Sequence, residues 1–399
     1  MTPDRKDGRR LSGNVAVLGL VSLLMGMSSA MIHGLLPVFL VTVLGASIAS
    51  VGLIEGIAEA TISLTKVISG VASDWARRRK PLVLLGYAFS AVSKLIFPLS
   101  ELASTVLIAR IADRIGKGIR DAPRDALLTD VTPSGIRGAG FGLRLALYTI
   151  GAVVGPLTAI GLMVLSGDNI RLVFCIALLP AFVSVAVLHV GITEPQSVLP
   201  LDQRRLSLRR SDLAKLTSPF WQAISIATVL ALARFSPAFL VLKAYDVGVT
   251  LTLVPATLIV MHMVYAAAAY PFGALADHFD RRSQLAIGAL ILIGAGVVLT
   301  NASSIWMTAL GVGLWGLQMG VTQGLLSAAV ADAAPDGMRG TAFGIYDFAV
   351  GLGTLGASAG AGMLWTIGGP ALAFQVGAWL AVGALLLLWL WPPSRASRG

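Results

Sequence analysis

Between Arg110 and Asp125 the sequence reads RIADRIGKGIRDAPRD, which places five basic and three acidic side chains in one short stretch. Wound as an α-helix, Arg110, Asp113, Arg114, Lys117, Arg120, Asp121, Arg124 and Asp125 fall within roughly 140° of one another. The result is a polar stripe that lipid cannot face. Arg110, Asp113 and Arg114 lie near the middle of the segment. They read as the lining of a cavity, with Asp113 or a glutamate neutralising the arginines until a substrate or a proton intervenes. Arg120, Asp121, Arg124 and Asp125 approach one end and read as a gate network or an interfacial stripe, with Pro123 as a place for a bend.

Other ionisable residues interrupt apolar runs and raise the same question, because a charge at the centre of a bilayer is costly and must face a partner or water. Glu55, Glu59 and Lys66 share one helical face within about 40°. Glu59 lies nearer mid-membrane than Glu55, at a depth similar to Lys94. Either the two form a salt bridge, or a glutamate there takes up and releases a proton, since burial pushes a carboxyl toward its neutral form. His33, followed by Pro37, is a further proton candidate; a histidine hydrogen-bonded within a packed core is the plainer alternative, and it applies to His262 as well. In the second half of the chain Arg234 and Asp347 contact substrate or belong to a packing network. Gln318, with Trp315 and Gln323, could serve a lipophilic cation or a polar metabolite. Arg144 lies close enough to a helix end to snorkel.

The elements that must hold these residues follow from composition. Of 399 residues 56% are hydrophobic and 13% charged, and the mean hydropathy is +0.82. A bilayer core of about 30 Å needs about 20 apolar residues per helix, so the expectation is an all-α integral membrane protein. Apolar runs suggest twelve spans at 14–43, 48–73, 81–101, 103–128, 138–165, 171–192, 219–243, 250–274, 283–301, 304–331, 339–365 and 369–391. The first run is too long for a cleavable signal and is expected to stay as the first helix. The net charge of +10 reflects basic residues gathered in loops on one side, which predicts that both termini are cytoplasmic and argues against nucleic acid as a partner. The single Cys175 excludes an intrachain disulfide.

The two halves repeat. Asp130, Arg137, Gly138, Phe141 and Gly142 recur as Asp332, Arg339, Gly340, Phe343 and Gly344, each displaced by 202 residues, and Pro133 and Gly135 likewise as Pro335 and Gly337. This predicts a duplicated six-helix unit: a bundle over 1–193, a cytoplasmic linker over 194–218 and a second bundle over 219–399. The charged stripe escapes the repeat, since Val312 to Ser327, its counterpart, carries no charge. The duplicated scaffold therefore does not require those charges.

Several motifs carry a family resemblance. Gly70 and Asp74, followed by Arg77, Arg78, Arg79 and Lys80, return as Gly273 and Asp277 with Arg281 and Arg282. Together with the twelve-span duplication these resemble the major facilitator superfamily, over essentially the whole chain. The resemblance implies two pseudo-symmetric six-helix bundles, with Asp74 and Arg78 and their second copies Asp277 and Arg281 latching one conformation at the cytoplasmic ends. Gly151, Gly155 and Pro156 resemble a motif of proton-driven exporters. Arg114 with Lys117 and Gly118 resembles a motif of the fourth span linked to proton coupling, although lysine stands where the family usually has glutamine. Independently of the family, Gly151 and Gly155, four apart, would let another helix approach closely.

No phosphate-binding loop, metal-ligand spacing or hydrolytic Ser/His/Asp set is present, so neither an enzyme nor a bound cofactor is expected. The leading expectation is a monomeric, proton-coupled exporter of a small molecule in the cytoplasmic membrane, working by alternating access. Uptake of an anionic solute, drawn to Arg110, Arg114, Lys117 and Arg234, is the second. A non-transporting receptor that kept the fold is the third.

Overall fold

The computed structural model describes residues 13–75, 79–132, 136–193, 216, 218–275, 281–334 and 339–390. Among them the chain is helical throughout. The first half comprises α1 (Gly13–His33), α2 (Leu36–Val38, running into a π-helical turn Phe39–Val43), α3 (Ile48–Trp75), α4 (Lys80–Ser93), α5 (Ile96–Leu99), α6 (Ala103–Val131), α7 (Arg137–Ser166) and α8 (Ile170–Gly191). The second half comprises α9 (Ser218–Ala233), α10 (Ala238–Asp246), α11 (Ala256–Leu275), α12 (Arg281–Asn301), α13 (Ile305–Ala333) and α14 (Arg339–Leu390).

Among the described residues ten stretches are long and apolar enough to cross a membrane. Two further features are compatible with the twelve expected. The stretch Ala342–Leu390 is interrupted at Gly368 and Gly369, where Gly369 has φ +73°, a backbone region open to glycine at little cost, so it supplies two crossings. The helix α6, with 29 residues, is long enough to span, and its charges form the polar stripe. The duplication is visible in the helix boundaries, since α6 and α13 both have 29 residues and Ala103 and Ile305 stand at the repeat's offset.

The apolar runs did not reveal three interruptions. The runs expected at 14–43, 81–101 and 219–243 are each broken, between α1 and α2, between α4 and α5, and between α9 and α10. Proline explains all three. Its ring clashes with the carbonyl four residues upstream and it has no N–H to donate there. Counting four back from Pro37, Pro98 and Pro237 gives His33, Lys94 and Ala233, and α1 ends at His33, α4 caps at Lys94 and α9 ends at Ala233. Pro123, Pro156, Pro180 and Pro271, by contrast, lie inside helices that continue through them.

By compactness the chain divides into two units, 1–39 with 61–206 and 40–60 with 207–399. The first half of α3 therefore packs with the second unit. In the first unit α1 lies against α7 and α8, and α4 against α6. Val15, Leu18, Val21 and Met25 of α1 meet Val83, Tyr87 and Ala91 of α4 and Ala181 and Leu188 of α8 in one buried cluster. In the second unit α9 packs on α14, α11 on α13, and α12 on both α13 and α14.

Candidate functional site

Glycine brings α4 and α6 together. A Cβ on Gly116 of α6 would lie 2.7 Å from the backbone nitrogen of Ser90 and 2.8 Å from the carbonyl oxygen of Gly86, both on α4. Only a hydrogen side chain fits, and the charged face of α6 is thereby pressed onto α4. Nearby, Ser69 Oγ of α3 donates to the carbonyl of Gly118 at 2.6 Å.

On this scaffold the stripe is buried: Arg110 is 1% exposed and Asp113 3%. Nη1 of Arg110 lies 2.6 Å from Nε2 of His33, where α1 ends. A guanidinium can only donate, so Nε2 accepts and the imidazole in this contact is neutral, with its proton on Nδ1. Lys94, also 1% exposed, caps the end of α4. Its ammonium donates to Ser28 Oγ at 2.8 Å and Ser29 Oγ at 2.9 Å, with Met25 Sδ at 3.4 Å, all on α1. These three acceptors match its three N–H groups. A salt bridge to Glu59 is one of the two alternatives that depth leaves open; in this arrangement the hydroxyls of α1 accept from the ammonium.

Asp113 is treated differently. Its backbone carbonyl accepts from Ser90 Oγ at 3.1 Å, but among the described residues its Oδ1 is buried without a hydrogen-bond partner. The charges that act on it most strongly are those of Lys94, Arg114, Arg120 and Arg110, in that order. Ser90 also links this carboxylate's neighbourhood to Arg120, whose Nη1 donates to the same hydroxyl oxygen at 2.7 Å while the guanidinium stacks 4.5 Å above the Tyr87 ring.

Further along α6 the charges pair with each other. Arg124 reaches Asp121 and Asp125, both at 2.9 Å, and Arg144 of α7 approaches Asp125 at 3.9 Å. Arg79 bridges Asp130 at 2.7 Å. These pairs are compatible with either a gate network or an interfacial stripe at this end, and α6 continues through Pro123. Lys117 is half-buried on the same face.

Gly151, Gly155 and Pro156 are buried on α7, and a Cβ on either glycine would meet backbone of α1, at Leu23 and Met27. The close helix approach expected from their spacing is realised against α1.

The remaining candidates belong to the second unit. Glu55 is buried and accepts from Ser236 Oγ at 3.1 Å. Ser236 sits in the break before α10, where its oxygen accepts from the Ala238 N–H and its own N–H donates to Ser358 Oγ. Glu55 thus helps close the broken helix. Arg234, in the same break, is within electrostatic reach of Tyr346, Tyr265 and Glu59. Glu59 and Asp347 are half-buried. Gln318 donates from Nε2 to Thr322 Oγ1 at 3.0 Å, and its Oε1, like Nε1 of Trp315, is buried without a hydrogen-bond partner among the described residues. Trp315 lies in an aromatic cluster with Phe235 and Phe374. His262 Nδ1 donates to the carbonyl of Leu258 at 2.7 Å, one turn back on its own helix.

The latch residues Arg78 and Asp277 lie outside the described residues, as do the side chains of Asp74 and Arg281. No group of three or more His, Cys, Asp or Glu among the described residues is arranged to hold a metal ion. Sequence reasoning missed Ser28, Ser29, Ser90 and Tyr87. Their signal was faint, since small hydroxyls are common inside membrane helices, but a serine pair facing the end of a proline-broken helix is a place where a freed polar group can be satisfied.

The model of the Major Facilitator Superfamily matches residues 18–263 and 223–399. An uncharacterised MFS-type transporter of Methanocaldococcus jannaschii is 31% identical over 398 residues, covering 97% of each chain. A class E tetracycline resistance protein of Escherichia coli is 23% identical over 303 residues, 71% of this chain and 73% of that one. Among solved structures, a D-xylose-proton symporter superposes with a TM-score of 0.77 at 16% identity, covering 96% of this chain and 98% of that one, a likeness of fold. With an all-helical fold, ten membrane-spanning stretches among the described residues and a family match over residues 18–399, the chain belongs to the Major Facilitator Superfamily and is an integral membrane transporter.

Proposed function

We propose that the protein is a proton-coupled exporter of a small molecule, resident in the cytoplasmic membrane with both termini on the cytoplasmic side, and that Asp113 takes up the coupling proton. The observation that carries this is the buried Asp113 carboxyl, whose Oδ1 has no donor although cations surround it. A buried polar oxygen without a partner costs about 1–3 kcal/mol, more if charged. Such a group is poised between two states, a neutral acid and a carboxylate that must meet a new donor, and a transporter needs such a two-state group. Glu59, half-buried beside Arg234, is a second proton carrier on this scheme. The bundles 1–193 and 219–399, joined by 194–218, rock to expose the substrate alternately to each side.

Export rather than uptake is supported by the Gly151, Gly155 and Pro156 motif and its packing on α1, and by the likeness to a tetracycline resistance protein. The test uses everted membrane vesicles energised by respiration, with a proton-sensitive fluorophore and a panel of tetracycline, lipophilic cations and organic anions. An exporter collapses part of the proton gradient when a transported compound is added. No response to any compound, together with uptake of one of them by intact cells on expression, would overturn export.

The second reading, proton-coupled uptake of an anionic solute, is favoured by one specific feature. In the first unit Lys94, Arg110, Arg114 and Arg120 outnumber the single carboxylate Asp113 around which they act. The organic anions in the panel distinguish the two, since this reading requires their accumulation in cells.

A further inference from the structure

Lys94 and Asp113 are both buried, face the same interior of the first unit, and are each the charge that the other feels most strongly. They nevertheless do not touch: the ammonium is spent on Ser28 and Ser29 of α1, and Oδ1 of Asp113 has no partner. Two opposite charges buried in a low-dielectric interior attract by several kcal/mol at short range, so a separation with the cation satisfied by neutral hydroxyls fits a carboxyl that carries a proton. We propose that Lys94 is a swinging cation that reports the protonation of Asp113 to α1. This rests on the reading that Asp113 takes the coupling proton.

In the arrangement seen, Asp113 is the neutral acid and Lys94 ties the end of α4 to α1. When Asp113 gives its proton to water, the carboxylate draws the ammonium across to α6. The hydrogen bonds to Ser28 and Ser29 break and an ion pair between α4 and α6 forms. With three acceptors around its Nζ, Lys94 is taken as the ammonium in this scheme, and the proton moved is that of the carboxyl. The proline break at Lys94 frees the backbone there to turn, which an unbroken helix would resist. The consequence is carried by α1, which on its other flank packs backbone to backbone on Gly151 and Gly155 of α7. Proton release at α6 thus loosens one hold on α1 and leaves the other.

Other charged groups around Asp113 do not substitute for Lys94. Arg110 is engaged by His33 from α1, and Arg120 by Ser90 and Tyr87 from α4. Arg114 lies on α6 itself, and α5, packed on the same helix, carries no titratable side chain.

The test follows two signals against pH in the purified full-length protein: the infrared carbonyl band of protonated Asp113, identified by its loss in Asp113→Asn, and the Nζ resonance of Lys94 in protein labelled with nitrogen-15 lysine, identified by its loss in Lys94→Arg. The expected result is that both change with one midpoint, and that in Asp113→Asn the Lys94 resonance keeps its acid position at every pH. A Ser28→Ala and Ser29→Ala double variant is expected to hold the resonance near its alkaline position. If the Asp113 band titrates while the Lys94 resonance stays fixed, the swing is overturned and the proton site stands. If no Asp113 band titrates, both fall.

Discussion

At the scale of single residues, the charged stripe of α6 contains two populations that its even spacing conceals. Arg124, Asp121 and Asp125 satisfy one another, whereas Asp113 is buried with one oxygen, Oδ1, that has no hydrogen-bond partner among the described residues. Replacing Asp113 with asparagine is therefore expected to remove gradient-driven transport by at least about tenfold, equivalent to about 1.4 kcal/mol or more of lost coupling. It should leave the thermal midpoint of the detergent-solubilised protein unchanged or higher, because a buried carboxyl with one oxygen unsatisfied among the described residues is replaced by a neutral amide of the same shape. Ser90 is the converse case. Its hydroxyl accepts from Arg120 and donates to the carbonyl of Asp113, so Ser90→Ala strands a buried guanidinium hydrogen. The expected cost is about 1–3 kcal/mol, seen as a lower midpoint in the same thermal assay.

At the scale of elements, glycine and proline decide what the charges can reach. Gly116 has no room for a Cβ against Ser90 and Gly86, while a Cβ on Gly142 would meet nothing within 4 Å. Gly116→Ala is expected to lower the thermal midpoint by several degrees through forced separation of α4 and α6, and Gly142→Ala to leave it in place. The prolines explain what the sequence did and did not disclose. Hydropathy located nearly every helix to within a few residues, since apolar length is a direct demand of the bilayer. It could not register the breaks after His33, Lys94 and Ala233, because a broken helix is as apolar as a whole one. Proline carried that information, yet Pro123, Pro156, Pro180 and Pro271 show that the residue alone does not decide. The outcome depends on whether neighbours satisfy the freed carbonyl, which is a tertiary property.

The same limit applied to the candidate site. That the charges of α6 avoid lipid was legible from their 140° arc. That Lys94 would choose two serines over a carboxylate was not, because depth along a helix gives proximity and not orientation. Glu55 shows the reverse: it shared a face with Glu59 in sequence, but its contact with Ser236 gives it a part in closing the gap before α10.

At the scale of the whole molecule, a duplicated scaffold carries the charged stripe in one copy and a largely neutral counterpart in the other. The helices α6 and α13 are equal in length and matched in register, yet only α6 bears the stripe. Coupling is thus expected to be far more sensitive to charge removal in α6 than to polar substitutions in α13; Gln318→Leu is expected to alter which compounds of the panel are transported while retaining proton movement. Compound-dependent fluorescence in everted vesicles checks this directly.

The central claim is that substrate leaves as a proton enters, through Asp113. Its most direct test is purified protein in liposomes that contain a pH-sensitive dye, with a transported compound from the panel loaded on the side from which it flows outward through the protein. Proton movement opposite to the compound is expected for the wild type, and none for Asp113→Asn. Compound flux without proton movement in the wild type, or undiminished proton movement in Asp113→Asn, would contradict it.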